Sequence, residues 1–161
     1  MAAKQSDYDL FLGLSVELTG LSRVDLLGTG VGPTHFQSVN RYGCAGNTAD
    51  LWAAWAGVEK RSRGDAAKRK ELTKSEILVD QRLGPLARNL LILWYLGQWV
   101  PMPAWWQTQY GPPNPPAFPV IASPEAYVEG LVWRVAGTHP PGAKPFGFGV
   151  WTQPPQEPDY D

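Results

Sequence analysis

A chain of 161 residues suffices for one ordinary domain and is too short for two large ones. With 43% hydrophobic and 18% charged residues it reads as a folded protein, and a net charge of −1 gives no overall field to draw it to nucleic acid or an anionic membrane. No run of about 18 apolar residues is present, which argues against a membrane span, and one cysteine, Cys44, rules out an internal disulfide. The eight tryptophans fit either a surface committed to a partner or an aromatic-rich core.

The composition changes near Gln98. Fourteen of the 16 prolines lie at Pro101 or later. Helical spacing dominates before that point and proline after it, where helix and central strand are both disfavoured. We divide the chain into a helical core, 1–100, and a second part, 101–161. The second part holds a Pro-rich connection, one further helix over about 123–136 and an extended arm, all within the same domain. The expected fold is mainly α: a small helical bundle with a long Pro/Gly/aromatic-rich irregular C-terminal arm.

In chain order, the opening Met1-Ala-Ala-Lys-Gln-Ser-Asp has neither an apolar h-region nor a twin arginine. Phe11, Leu14 and Leu18 share a stripe, so a helix is expected over Asp7–Leu18 with Gly20 as its C-cap. Leu21–Gly32, with Gly28, Gly30 and Gly32, reads as a connection. A short helix can start at Pro33, and Gly43 and Gly46 interrupt the chain beyond it. Thr48 is a candidate cap for a helix through about Arg61, with Leu51, Trp52, Trp55 and Val58 on one face. Lys60–Lys74 mixes Lys60, Arg61, Arg63, Lys68, Arg69, Lys70 and Lys74 with acids. This is the pattern of a solvated helix face, and no aromatic residue alternates with the cations as nucleic-acid binding would favour. Leu83–Trp99 is the most apolar stretch. Leu86, Leu90, Leu93 and Gly97 form one stripe, with Leu91 and Trp94 beside it, as in a central buried helix. Pro101–Pro119 reads as extended or polyproline-like. Ser123, Pro124 and Glu125 then start the last helix, and Gly137 closes it. From Thr138 onward no regular structure is expected. Phe146, Phe148, Val150 and Trp151 nonetheless give that stretch too much apolar bulk for a disordered composition.

The chemistry of a self-sufficient enzyme is not evident. Gly28, Gly30 and Gly32 follow no credible strand and are too closely spaced for a dinucleotide turn. A phosphate-binding loop and a nucleophile elbow are both missing from the sequence. His35, His139 and Cys44 lack metal-ligand spacing. His139 is the one catalytic candidate, set against a plain packing role after a helix end.

Three stretches carry a family resemblance. Ala126-Tyr-Val-Glu-Gly-Leu-Val-Trp-Arg-Val-Ala-Gly-Thr-His-Pro-Pro-Gly-Ala-Lys-Pro-Phe-Gly-Phe-Gly-Val-Trp closely resembles the C-terminal signature of the small subunit of membrane-associated, FAD-containing sorbitol dehydrogenase. Phe11-Leu-Gly-Leu-Ser-Val-Glu-Leu-Thr-Gly resembles that family's opening F-x-x-L-S-x-x-L-T-G. Leu93-Trp-Tyr-Leu-Gly-Gln-Trp resembles its W-Y-x-G element. The order matches, and together they run from about Phe11 to Pro155. Small subunits of glucoside 3-dehydrogenase-type complexes belong to the same family.

The resemblance implies a non-catalytic partner of a large flavoprotein of the glucose–methanol–choline type. FAD would sit on that partner, with an iron–sulfur cluster or haem as further groups on partner subunits and a cytochrome c as a further subunit. The small chain would bind no cofactor and would assist folding and export. Location would be the periplasm or the periplasmic face of the inner membrane. Family members commonly begin with a twin-arginine signal, which the opening residues here do not show.

The expected partner contacts begin with Trp133, His139, Pro140, Gly142 and Lys144. They continue through Pro145, Phe146, Gly147, Phe148, Gly149 and Trp151. Two other readings stand beside this one: a stand-alone sugar- or peptide-binding module using Trp105, Trp106 and Tyr110, and a catalytic contribution of His139 at a subunit interface.

Overall fold

The computed structural model describes residues 6–141 and residue 143. Its architecture is mainly helical, a small bundle as the apolar periodicity requires. Helix α1 (Asp7–Thr19) starts where the Ser6 side chain accepts a bond from the Asp9 N–H. It stops at Gly20, whose φ of 72° lets its N–H turn back to the Val16 carbonyl. Phe11 and Leu14 are fully buried on its inner stripe.

The stretch Leu21–Gly32, expected as a connection, contains a helix, α2 (Arg23–Gly28). A capping box explains it: Ser22 accepts from the Asp25 N–H while the Asp25 carboxylate accepts from the Ser22 N–H. Helix α3 (Gly32–Gly43) begins beside Pro33 as anticipated. Helix α4 (Ala45–Ser62) begins earlier than its expected cap. Thr48 lies inside it, its hydroxyl donating back to the Ala45 carbonyl, and Gly46 falls in the first turn instead of interrupting the chain. Leu51, Trp52, Trp55 and Val58 are all buried, the one face that the spacing gave them.

Helix α5 (Ala66–Leu72), capped by Asp65, runs into a π-helical segment, Thr73–Leu78. Helix α6 (Leu83–Leu96) is the central strut. It packs against α1, α3, α4 and the π segment, and its Leu86, Ala87, Leu90 and Leu93 have no exposed surface. Around Phe11 the rings of Phe36, Tyr8, Trp94 and Trp52 stand at centroid distances of 5.4, 5.7, 6.0 and 6.1 Å. Of the eight tryptophans, Trp52, Trp55, Trp94, Trp99 and Trp106 are buried, so most of the indole content is core.

Gly97 ends α6 at φ 67°, and a Cβ there would lie 2.3 Å from the Ala126 carbonyl oxygen, so the turn admits glycine alone. Residues 98–99 then leave the helix as β1 (Gln98–Trp99). It pairs antiparallel with β2 (Val120–Ile121) in the register Gln98↔Ile121 and Trp99↔Val120.

The Pro-rich connection corrects the sequence reading. Ala104–Tyr110 is a helix, α7, not an extended run. Its prolines flank it at Pro103 and Pro112, so none removes a bond from its interior. Trp106 anchors it, fully buried, its Nε1–H donating to the Arg82 carbonyl at 2.9 Å. The helix expected over about 123–136 is likewise two helices, α8 (Pro124–Val128) and α9 (Leu131–Val135). The break comes where Gly130 lies so close to the Tyr95 carbonyl that a Cβ would stand 2.8 Å from its oxygen. Ser123 caps α8 and Gly137 turns at φ 65° after α9, both as expected. Leu131 and Ala126 are buried, and α8 and α9 both pack on α6. Among the described residues no helix is long and apolar enough to cross a membrane.

Candidate docking groove

An open groove of about 340 Å³ lies where α2, the α8–α9 pair and the root of the arm meet. One wall is Asp25, Gly28 and Thr29; the other runs from Val128 to Arg134, and Thr138, His139 and Pro140 close it. Three of the expected contact residues, Trp133, His139 and Pro140, therefore come together. Gly142, Lys144, Pro145, Phe146, Gly147, Phe148, Gly149 and Trp151 lie outside the described residues.

Local geometry fixes the walls. The Trp133 Nε1–H donates to the Tyr127 carbonyl at 2.8 Å, and the two rings meet edge to face at 5.4 Å. That locks the indole across the α8–α9 corner. The Thr138 N–H returns to the Trp133 carbonyl at 2.9 Å, so the left-handed turn at Gly137 sends the arm's root back over α9. Pro140 is buried, and its carbonyl accepts from the Ala143 N–H at 3.0 Å, a further turn.

An ion pair spans the groove: the Arg134 guanidinium stands 3.4 Å from the Asp25 carboxylate. Asp25 also accepts the Ser22 hydroxyl at 2.6 Å. The Ser22 hydrogen bond first, and Arg134 after it, hold the Asp25 carboxyl below the ordinary carboxylate range. Both partners face water, so the pair orients the walls more than it stabilises them.

His139 is half-buried, with Nδ1 3.3 Å from the Pro140 carbonyl oxygen. This places the ring at the lip, where it can accept or donate to an incoming polar group. The same helices leave large apolar side chains in water: Val24 is 80% exposed, Leu27 48% and Val135 71%. Exposed apolar side chains on the helices that wall a groove suit a protein contact surface.

The second aromatic reading loses one of its three residues. Trp106 is buried in the core, with Tyr110 tilted against it at 5.9 Å; Trp105 is half exposed. Gly28, Gly30 and Gly32 join α2 to α3, a helix-to-helix connection. Among the described residues no group of His, Cys, Asp and Glu is arranged to hold a metal ion.

The α2 wall of the groove escaped the sequence reading. Asp25 and Arg134 are 109 positions apart, a separation no local pattern encodes. Ser22-x-x-Asp25 was the signal to hand, since it announces a helix whose Val24 and Leu27 must then be either buried or presented. Comparison with models of known families, with curated proteins and with solved structures finds no match.

Proposed function

We propose that this chain is a non-catalytic small subunit of an FAD-dependent sugar or polyol dehydrogenase complex, docked through the groove and the C-terminal residues that follow it in sequence. The observation that carries the reading is that α2 and α9, two helices that wall the groove, leave Val24, Leu27 and Val135 exposed. Leaving these side chains wet costs on the order of 1.5–3 kcal/mol for each one that a partner could bury fully. The three motif stretches that resemble the sorbitol dehydrogenase small-subunit family support the identity of that partner. It is a flavoprotein of the glucose–methanol–choline type carrying FAD, with electron-transfer groups beyond it. Trp133, His139 and Pro140 are the contacts at the arm's root, and Phe146, Phe148 and Trp151 are those assigned to the arm beyond. Assistance in folding and export to the periplasm belongs to the same proposal.

Co-expression with such a flavoprotein tests it. The pair is expected to co-purify with flavin absorbance. The double variant Val24→Asp with Val135→Asp is expected to lower the yield of complex at least about tenfold, as loss of two buried anchors would, with the helical circular dichroism unchanged. A well-folded wild-type monomer with no affinity for the flavoprotein overturns the reading. The His139 reading separates on turnover: His139→Ala in an intact complex leaves the rate unchanged if the ring serves only contact, and lowers it if it reaches the substrate.

A further inference from the structure

The chain's charge is strongly segregated, although its net value is only −1. Seven of its 14 Lys and Arg side chains fall between Lys60 and Lys74, against only Asp65 and Glu71. The fold turns part of this stretch into a concavity. Lys60, Arg61, Arg63 and Lys68 line an open hollow of about 700 Å³ between the end of α4 and α5, floored by Gly57 and Leu72.

Two of the nearby cations are committed to the fold. Arg61 pairs with Glu76, and Arg69 reaches Glu17 on α1 at 2.8 Å. Lys60, Arg63 and Lys68 have no acidic partner within ion-pair distance among the described residues. The nearby carboxylate of Asp65 is occupied in capping α5, where it accepts the Lys68 N–H at 3.0 Å.

Helix-dipole complementation accounts for Lys60 and Arg61, which sit in the last turn of α4. It does not account for Lys68, which lies in the first turn of α5, the end where a cation is disfavoured. Nor does it account for Arg63, which takes φ 49° in the left-handed region that favours glycine. Arg63 sits at the left-handed C-cap of α4, at the corner between the two helices.

We propose that this hollow binds a soluble multivalent phosphate anion. Convergent ammonium and guanidinium groups satisfy phosphate oxygens on several sides at once. Among the described residues no aromatic side chain lines the hollow, which leaves no platform for a nucleobase there. Among the described residues Leu72 is the only large apolar lining residue, and it is half-buried, a poor anchor for insertion into a lipid surface.

Calorimetric titration of the full chain with inorganic tripolyphosphate tests the site. One-to-one binding is expected, weakening about tenfold between about 20 and 200 mM salt as screening shortens. Arg63→Glu with Lys68→Glu is expected to weaken it by at least about tenfold, with circular dichroism confirming the fold. Arg41→Glu, on α3 and outside the hollow, makes a one-charge reversal and should change affinity less than about twofold. Absence of binding by the wild type overturns the proposal. So does an equal loss on Arg41→Glu, which would mean attraction to overall charge alone. Binding to vesicles of phosphatidylcholine and phosphatidylserine that tripolyphosphate does not compete away also overturns it, in favour of a lipid surface. The test needs no flavoprotein, so its outcome is independent of the subunit proposal.

Discussion

The regions before and after Gly97 are held together by different chemistry. Before it, apolar stripes on α1, α3, α4 and α6 meet around Phe11, and contact area does the holding. After it, a few polar side chains grip backbone atoms. Asn89 binds Val100 on both sides, donating to its carbonyl at 2.7 Å and accepting its N–H at 3.0 Å. Asn47 donates to the Tyr110 carbonyl at 2.9 Å, and Trp106 to that of Arg82. A proline-rich chain has few N–H groups to spend on regular ladders, so core side chains supply the missing partners. The lesson is that the described part of the second region, through Trp99, Met102, Trp106, Ala126 and Leu131, shares the core of the first.

Four perturbations sharpen the contrast. Phe11→Ala removes the ring at the centre of the aromatic cluster and should cost about 3–5 kcal/mol, read from the denaturant midpoint. It should loosen both regions together; survival of the α7 and α9 amide protection would break the idea of a shared core.

Acid should come next in size. His35 is 1% exposed, both its ring nitrogens lack a partner, and it stands edge-on to Trp94 at 4.8 Å. Burial lowers its pKa to about 4 from an ordinary 6.5. The fold therefore keeps the neutral ring, and the unfolded chain takes up the proton first. Stability is full above about pH 6.5, falls as the pH drops from there to about 4, and loses on the order of 3 kcal/mol at most. His35→Leu should flatten the curve between about pH 6.5 and 5, above the range where the carboxylates titrate. A curve equally steep in the variant would refute this account.

Asn89→Ala should cost about 1–3 kcal/mol, because it orphans two backbone groups of Val100. Its effect should concentrate after Gly97: hydrogen exchange at Val100 and in α7 should accelerate while α1 and α4 stay protected. The smallest effect is expected at Ser22→Ala, about 1 kcal/mol from the lost capping box of α2. It frees one wall of the groove, so complex formation should suffer more than the melting temperature does.

The same contrast explains what the sequence made legible. Periodicity located α1, α4 and α6, because a helix that buries one face must repeat its apolar residues every three or four positions. Gly20, Gly97 and Gly137 marked the ends of α1, α6 and the last helix through a conformation other residues avoid. Short helices escaped where local rules compete. The glycines after α2 and the prolines around α7 outweighed a capping box and a proline-free run of seven residues. The split at Gly130 depends on the distant Tyr95 carbonyl, and the α2 wall on Arg134. Contacts of that kind have no local signature, so the groove's arm side was readable and its far side was not.

The place of α6 also sets an order of events on the ribosome. Helices α1, α3 and α4 are synthesised first, yet each rests on a strut that is complete only at Leu96. They pack on one another as well, but the core they share is closed only once that residue has emerged. Helices α8 and α9 settle on α6 afterwards and bring the groove with them. A partner that recognises the groove would thus engage only chains whose interior has already closed, so that assembly itself acts as an inspection of folding.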